Sequence, residues 1–266
     1  MIEHDSKTAL VTGAASGIGA ALAAALAARG ARVLCADRNI EGATRTAETI
    51  GAGAEAVACD LTGDGAPAEL LERAWELAGR VDLVCSNAGV SHRGRVARMD
   101  LDEDQRLSDL WEINFFAGVK LAQAYARRLE DAGERGRLLV TASETALSVP
   151  ASIRGSRLAF YGATKHALLS AMEWYRIEQE NGPLDLHVLL PGAVYTPLIS
   201  KGLPEPSEVP AQFELLMPEE CAEIALRGMD LGLFYIPTQA HILEDMQPRV
   251  TAVADSLRAL GILPGR

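Results

Sequence analysis

Tyr161 and Lys165 are the residues whose types and spacing point most directly to chemistry. They are four positions apart, so a helix would place both side chains on one face. A phenol with its ordinary pKa of about 10 is a poor base at neutral pH, and lowering that pKa to ~7 takes about 4 kcal/mol. An ammonium ~4 Å away, at an effective dielectric of ~20, supplies about that much. The pair predicts acid–base chemistry by a phenol, although two amphipathic side chains reaching from a helix to water have the same spacing.

A glycine-rich segment, TGAASGIG from Thr12 to Gly19, lies between an apolar run and an alanine-rich stretch. Glycine lets a backbone turn sharply and approach a phosphate without a Cβ in the way, and a helix N-terminus offers free N–H groups to an anion. The spacing is G-x3-G-x-G, which differs from the usual dinucleotide fingerprint. The segment predicts a nucleotide site, with a plain tight turn as the alternative. Its candidate contacts are Gly13, Ser16, Gly17, Ile18 and Gly19.

Asp37 bears on the choice of nucleotide. It lies eighteen residues past Gly19, at the end of the second apolar run. An acidic side chain there can accept hydrogen bonds from the ribose hydroxyls on the adenine side, and it would repel a 2′-phosphate. The adjacent Arg38 could instead accommodate such a phosphate. Together these residues favour NAD as the cofactor, with NADP as the less favoured alternative.

Short apolar runs and helical stretches alternate over the first 190 residues and would position these side chains. The runs lack apolar–polar alternation, as expected of parallel strands covered on both faces. The repeated pattern predicts an α/β fold: a doubly wound, Rossmann-like parallel sheet of about seven strands with helices on both faces. The predicted strands are Thr8–Thr12, Arg32–Asp37, Ala54–Asp60, Asp82–Asn87, Arg137–Ser143, Leu184–Pro191 and Leu233–Pro237. The longer predicted helices are Asp102–Ala132, Ala159–Glu180, one that begins at Pro218, and Ile242–Leu260.

No Pro/Gly/Ser-rich linker divides the chain, so residues 1–266 are predicted to form a single dinucleotide-binding and catalytic domain. Residues 193–217, called the lid segment below, break the pattern and are predicted to be an irregular substrate-binding loop. The lid segment contains Pro197, Pro204, Pro206 and Pro210. Its apolar side chains favour a bulky hydrophobic substrate, although ordinary packing uses such residues about as often. They are Leu198, Ile199, Leu203, Phe213, Leu215, Leu216 and Met217.

With these motifs the chain resembles the short-chain dehydrogenase/reductase family, in its short single-domain branch, over most of its length. A single Y-x-x-x-K is common by chance. Ordered placement of several motifs at strand ends is specific, because ligands of doubly wound sheets bind there. The matching motifs are Asp60-Leu61, Asn87-Ala88-Gly89, Asn114 within WEIN, Ser143, Tyr161 to Lys165 (YGATK), and Pro191-Gly192 followed by Val194 and Thr196.

The resemblance implies hydride transfer between NAD(H) and a secondary alcohol or ketone. It makes Tyr161 the general acid/base, and it gives Lys165 a second task in binding the nicotinamide-side ribose. It makes Ser143 a hydrogen-bond donor to the substrate oxygen and Asn114 the anchor of a water relay behind Lys165, although an Asn in a long helix can also cap a kink. The implied cofactor contacts are the five residues of the glycine segment with Asp37, Arg38, Asp60, Leu61, Asn87, Ala88, Gly89, Tyr161, Lys165, Pro191, Gly192, Val194 and Thr196.

The interval from Ser143 to Tyr161 is eighteen residues, longer than is usual in the family. The extra residues fall in Leu147–Arg157, and we expect them to form part of the substrate wall or to cover it. Ser143 finishes a predicted strand, as the family's serine does, while Thr145 and Ser148 are rivals for its role.

Substrate contacts are expected from Ser143, Glu144, Tyr161 and Tyr195, and the substrate from a bulky, hydrophobic secondary alcohol or ketone. His92 and Arg93 could bind a carboxylate or form a solvated pair. One alternative is an NADPH-dependent reductase of carrier-bound 3-oxoacyl groups or other carbonyls. A second alternative is a regulator that binds NAD without turnover. Such a protein should lose the tyrosine or the lysine, and this chain keeps both.

Charge and composition exclude several classes of partner. With 36 acidic and 25 basic residues the net charge is −11, which argues against nucleic-acid and anionic-membrane partners. No run approaches the ~20 apolar residues of a membrane span, and the first residues, MIEHDSK, lack the segments of a signal peptide, so a cytoplasmic location is expected. The four cysteines form no CxxC pair and have no metal-ligand spacing, which favours reduced, buried thiols and no metal site.

The family resemblance also implies a homo-oligomer, a dimer or tetramer built on the two long helices. Candidate apolar interface positions on them are Phe115, Phe116, Met172 and Trp174, with packing inside the chain as the alternative.

Overall fold

Seven parallel strands form one sheet at the centre of the molecule. The computed structural model describes residues 6–51, 53–99, 101, 104–200 and 205–263. Within them the strand order is β3-β2-β1-β4-β5-β6-β7, and every neighbouring pair is parallel. The strands are β1 Thr8–Thr12, β2 Arg32–Asp37, β3 Ala54–Ala58, β4 Leu83–Ser86, β5 Gly136–Thr141, β6 Leu184–Leu190 and β7 Tyr235–Pro237. The predicted doubly wound sheet is confirmed.

Strand ends are where the predicted bounds are wrong. β3 stops before Asp60, β4 before Asn87, β5 before Ser143 and β6 before Pro191. The cause is local: the Asp60 carboxylate accepts from the Thr62 N–H at 3.0 Å, and the Ser143 hydroxyl accepts from the Thr145 N–H at 3.2 Å. A proline lacks the N–H that a ladder needs. Each of these residues therefore lies in the loop that leaves the carboxyl edge of the sheet.

Helices cover both faces of the sheet. They are α1 Gly17–Ala28, α2 Ile40–Ile50, α3 Ala66–Ala78, α4 Gln105–Trp111, α5 Ala117–Ala132, α6 Ala159–Glu178, α7 Pro197–Ser200, α8 Pro218–Asp230 and α9 His241–Ala259. Alternate strand residues face opposite layers: Leu10 packs with α3, α5 and α6, while Val11 packs with α1, α2 and α8. Helix α8 begins at Pro218, as predicted, and has the proline in its first turn.

Two predicted segments are interrupted. The predicted start of the first long helix, Asp102, lies outside the described residues, and from Gln105 to Ala132 the helix contains a π-helical turn, Glu112–Phe116. The lid segment contains α7, two short 3-10 turns and a bridge between Val194 and Leu216. Its Leu203 and Pro204 lie outside the described residues.

The structure also shows which of the predicted interface residues and cysteines are buried. Met172 is 1% exposed and packs in the core, so its prediction as an interface residue is wrong, whereas Phe116 and Trp174 are exposed. The four cysteines are free thiols, three of them buried; burial raises the pKa of Cys85 to about 12. In the part of the chain that the structure describes, no helix is both long and apolar enough to span a membrane.

Candidate active site

The glycine segment lies where the strand order reverses, between β1 and β4, which is the usual ligand crevice of such sheets. Gly13 has φ +69°, and a Cβ there would lie 2.9 Å from the Ala88 Cα. Gly17 has φ +56°, and its Cβ would meet the Thr196 methyl group at 2.9 Å. A Cβ on Gly19 would overlap the Gly13 carbonyl. The segment is therefore a cradle that side chains would fill.

Two adjoining cavities run along this crevice, and the predicted cofactor residues line them. The cavity at the ends of β2 and β3 has Asp37, Arg38, Asp60 and Leu61 in its wall. The other cavity is lined by the remaining predicted contacts: Gly13, Ser16, Gly17, Ile18, Asn87, Ala88, Gly89, Tyr161, Lys165, Pro191, Gly192, Val194 and Thr196. Gly19 is the exception, because it is buried behind the turn.

Asp37 has a structural task that the sequence did not reveal. One carboxylate oxygen accepts from the Ala15 N–H at 3.0 Å, and the other accepts from the Asn39 N–H at 2.8 Å. The side chain thus fixes the glycine segment to the end of β2 while it lines the cavity.

Thr12 and Thr141 hold the neighbouring strand ends together, and sequence reasoning missed both. The Thr12 hydroxyl accepts from the Asn87 and Ala88 N–H groups at 2.9 and 3.1 Å. The Asn87 amide donates to the Thr12 carbonyl at 3.2 Å and accepts from the Thr141 hydroxyl at 3.1 Å. Thr12 is the last residue of its predicted strand and Thr141 lies two residues before the predicted end of its own, and these positions were the available signal.

Tyr161 and Lys165 meet at the floor of the second cavity on the first turns of α6. The Lys165 ammonium lies 5.8 Å from the centre of the Tyr161 ring and donates to the Thr141 carbonyl at 2.8 Å. Burial raises the pKa of Tyr161 to about 12, although a hydrogen bond with Ser143 opposes this rise. Burial also lowers the pKa of Lys165 to about 8. In the free protein burial therefore opposes ionisation of the phenol, and it also disfavours the charged form of Lys165.

Asn114 lies in the π-helical turn and is 1% exposed. Its amide pairs with both backbone groups of Val90, each at 2.9 Å, and donates to the Thr164 hydroxyl at 3.2 Å. A Cβ on Gly89 would lie 3.4 Å from the Asn114 Oδ1 and 3.7 Å from the Lys165 Nζ. Asn114 and Lys165 therefore both lie close to Gly89, and Asn114 fixes the loop after β4.

A third, largely apolar cavity of about 1210 Å³, partly open to solvent, begins at Ser143 and Tyr161. Ser143 lines both this cavity and the second of the two cavities described above, which is called the cofactor groove below. Ser148 lines neither of them. The buried Thr145 hydroxyl has no hydrogen-bond partner among the described residues. The insertion contributes Ser152, Ile153, Gly155 and Ser156, and the lid segment contributes Leu198, Ile199, Val209, Pro210, Phe213 and Leu215. Tyr195 does not line this cavity; its N–H donates to the Leu216 carbonyl at 2.9 Å.

The amino-acid sequence matches the family model of short chain dehydrogenases over residues 7–205. It is 36% identical over 236 residues to the 1-deoxy-11-beta-hydroxypentalenate dehydrogenase of Streptomyces avermitilis, covering 88% of this chain and 84% of that protein. This chain belongs to the short-chain dehydrogenase/reductase family.

Solved members of the family share the fold. A short-chain dehydrogenase/reductase from Burkholderia phymatum, crystallised with NAD, superimposes with a TM-score of 0.81 at 24% identity, covering 100% of this chain and 99% of that one. The 3-ketoacyl-(acyl-carrier-protein) reductase from Brucella melitensis, solved with NADH, gives a TM-score of 0.73 at 27% identity, covering 88% and 96%.

The crevice of this family member fits a nicotinamide dinucleotide. The glycine cradle leaves room for an anion against the N-terminus of α1, Asp37 and Asp60 can accept from hydroxyls, and Lys165 can donate to a ribose. A bound nicotinamide would accept a hydride from an alcohol or supply one to a carbonyl. The chain itself would supply the proton-transfer and hydrogen-bonding groups, Tyr161 and Ser143.

Glu144, the residue after Ser143, is buried and forms a cluster with the partly buried His241 and the exposed Glu214, which sequence reasoning missed. Its carboxylate is 6% exposed and lies 2.8 Å from the His241 Nε2, while the His241 Nδ1 lies 3.0 Å from a carboxylate oxygen of Glu214 in the lid segment. Burial raises the pKa of Glu144; the two carboxylates raise the pKa of His241 despite its partial burial. This cluster joins the loop after β5, the lid segment and α9.

Gln239 reinforces that junction. Its side chain is buried, accepts from the Gly192 N–H at 2.8 Å, and donates to the Ala193 carbonyl at 3.0 Å and the Glu214 carbonyl at 3.3 Å. One side chain thus anchors both ends of the lid segment to the end of β7.

Proposed function

We propose that this chain is an NAD-dependent alcohol dehydrogenase and ketone reductase that acts on bulky, apolar secondary alcohols and the matching ketones. The observation that carries the proposal is the position of Ser143 and Tyr161, which line both the cofactor groove and the apolar cavity. A carbinol held there faces a hydrogen-bond donor and a proton acceptor on one side and the dinucleotide crevice on the other. The Streptomyces avermitilis relative is named as the dehydrogenase of a hydroxylated compound, and this name supports an alcohol as the reacting group.

In the oxidative direction Ser143 would donate to the substrate oxygen while ionised Tyr161 accepts the hydroxyl proton. The carbinol carbon loses a hydride, so the products are the ketone, the reduced dinucleotide and a protonated phenol. Lys165, 5.8 Å from the phenol ring, favours the ionised form of Tyr161. The Thr141 carbonyl would hold the lysine in place, and Asn114 would hold the neighbouring loop after β4.

The preference for NAD rests on Asp37. Its carboxylate is fixed by two backbone N–H groups and lines the cavity at the ends of β2 and β3, where a 2′-phosphate would meet a negative charge. Arg38 lines the same cavity and could accommodate a 2′-phosphate, so NADP is kept as the less favoured alternative.

The lid segment, residues 193–217, would form the outer wall of the substrate cavity, because apolar side chains from both of its halves line that cavity. A reductase of carrier-bound 3-oxoacyl groups is the second candidate, supported by the likeness to the Brucella melitensis enzyme. The NAD-binding regulator is disfavoured because Tyr161 and Lys165 are both present. The single domain over residues 1–266, the homo-oligomer and the cytoplasmic location stay predictions.

Initial rates with NAD⁺ and NADP⁺ across a panel of apolar secondary alcohols and small polyols test the proposal. We expect turnover of the apolar alcohols with NAD⁺, and a loss of about 10²–10⁴-fold in kcat for Tyr161→Phe. Tyr175→Phe is the matched control, because Tyr175 lies on the same helix with its hydroxyl 3.4 Å from the Ala122 carbonyl. Full turnover by Tyr161→Phe, or activity on polyols alone, would overturn the proposal.

A further inference from the structure

A strongly basic cleft lies beside the apolar cavity, formed by the loop after β4 and the end of the insertion. It encloses about 870 Å³, including its open mouth. Five arginines line it: Arg93, Arg95, Arg98, Arg106 and Arg157. In a chain with a net charge of −11, so many guanidinium groups around one cleft are unusual.

One of the five arginines is already neutralised. Arg106 forms a bidentate pair with Asp104, at 3.0 and 3.1 Å, and the same carboxylate lies 2.9 Å from the His92 Nε2. Asp104 is the single carboxylate among the described residues that line the cleft. Within the described part of the chain, the other four guanidinium groups that line the cleft can attract an anion.

Arg93 joins the cleft to the apolar cavity, since its side chain lines both. The loop around it is paired with the insertion: Gly94 bridges Leu158, and the Gly94 N–H donates to the Arg157 carbonyl at 2.8 Å. Arg157 holds a left-handed backbone, φ +62°, beside Ser156 and Leu158, which line the apolar cavity. Arg157 itself lines the cleft and not the apolar cavity, so Arg93 is the arginine that lines both.

We propose that this cleft binds a carboxylate carried by the substrate, so that the enzyme acts on apolar hydroxy acids and oxo acids. The proposal rests on the function proposed above and extends it. The substrate carbinol lies at Ser143 and Tyr161, its apolar body fills the cavity, and its carboxylate reaches Arg93 and Arg157.

Charge within the apolar cavity sets the same orientation. Glu144 lines the cavity next to the reacting groups, and its carboxylate, which is paired with His241, offers no hydrogen-bond donor to an ionised carboxylate. Arg93 lines the cavity where it meets the cleft and attracts one. A planar carboxylate matches the fork of a guanidinium in two parallel hydrogen bonds.

A matched substrate set tests the proposal: one apolar hydroxy acid, its methyl ester, and the corresponding alcohol that carries a phosphate monoester instead of the carboxylate. We expect the acid to have the highest kcat/KM in the wild-type protein. In the double variant Arg93→Gln/Arg157→Gln the acid-to-ester ratio of kcat/KM should fall about tenfold or more, mainly through a higher KM for the acid. Arg154→Gln is the matched control, because this exposed arginine belongs to the same insertion but lines neither space.

Equilibrium binding separates a failure of this proposal from a failure of the proposed function. A saturated acid without the hydroxyl, and its methyl ester, need no turnover, and the wild-type protein should bind the acid more tightly than the double variant does. The carboxylate site would be overturned if the acid-to-ester ratio, by turnover and by binding, were the same in the wild-type protein and the double variant. That result would not contradict the proposed alcohol dehydrogenase activity. A phosphate ester preferred over the acid would likewise overturn the assignment of a carboxylate.

Discussion

The Lys165 ammonium lies 5.8 Å from the centre of the Tyr161 ring, and both side chains are enclosed at the floor of the cofactor groove. The same enclosure acts on the two groups in opposite directions, raising the pKa of the phenol to about 12 and lowering that of the ammonium to about 8. Desolvation penalises the charged form of each group, so Tyr161 stays a neutral phenol in the free protein at neutral pH. A positive charge brought into the groove would shift this balance toward the phenolate.

A spectroscopic titration of the phenol follows from that balance. Without dinucleotide, we expect Tyr161 to give no phenolate absorbance between pH 7 and 9, since its pKa is about 12. Saturating NAD⁺ should bring a phenolate signal into this range, because the pyridinium charge favours the ionised phenol. The signal is the difference in ultraviolet absorbance between the wild-type protein and Tyr161→Phe. A phenolate already present at pH 7 in the free protein would contradict the argument from burial.

The Asp37 carboxylate carries two tasks, and a substitution should reveal both. In Asp37→Ser the ratio of kcat/KM for NADP⁺ to that for NAD⁺ should rise by about tenfold or more, because the negative charge that repels a 2′-phosphate is gone. Binding of both dinucleotides should weaken as well, since the Ala15 N–H loses its partner.

Arg38→Ala is the companion measurement for cofactor choice. Removing this cation from the same cavity should lower kcat/KM for NADP⁺ below that of the wild-type protein, while kcat/KM for NAD⁺ changes little. If the cofactor ratio is the same in Asp37→Ser and the wild-type protein, Asp37 does not select the dinucleotide.

The sequence predicts the sheet well because its strands are apolar on both faces. Thr8–Thr12 and Arg32–Asp37 are confirmed residue for residue. The predicted ends fail at Ser143 and Asp60, where a polar side chain bonds to the backbone two residues on and stops the ladder. Local hydrogen bonding of this kind is not visible in a hydropathy pattern.

The Gly19 position tests the glycine cradle. Its Cβ would overlap the carbonyl of Gly13, a backbone atom that cannot move aside as a flexible side chain would. In Gly19→Ala we expect dinucleotide affinity to fall about 100-fold and the free energy of unfolding to drop by about 1–3 kcal/mol.

Gly155→Ala is the control for that substitution. An added Cβ there meets nothing within 4 Å, and its φ is not positive, so dinucleotide affinity measured by calorimetry should be unchanged. Equal affinities for Gly19→Ala and Gly155→Ala would mean that the turn tolerates a side chain.

Contacts between distant parts of the chain account for most of what the sequence could not predict. Glu144 and His241 are 97 residues apart, and nothing in either neighbourhood signals their 2.8 Å contact. The π-helical turn around Asn114 and the burial of Met172 are likewise consequences of tertiary packing. The Tyr161–Lys165 pair was predictable because its spacing is local, whereas its surroundings, and hence its pKa values, were not.

The His241 bridge between Glu144 and Glu214 should make stability depend on pH in a defined direction. The pKa of His241 is raised above its ordinary 6.5, so the bridge stabilises the fold fully below about pH 6.5 and loses that stabilisation as pH rises through the folded-state pKa. The raised pKa of Glu144, which burial and the neighbouring Asp245 favour, acts in the same direction at lower pH. We therefore expect His241→Gln to lower Tm most at about pH 6, with the difference from the wild-type protein shrinking toward pH 9. His166→Gln is the control, since its ring contacts the Gly162 carbonyl and Arg249. A Tm difference for His241→Gln that grows with pH would mean that the protonated form of His241 does not stabilise the fold.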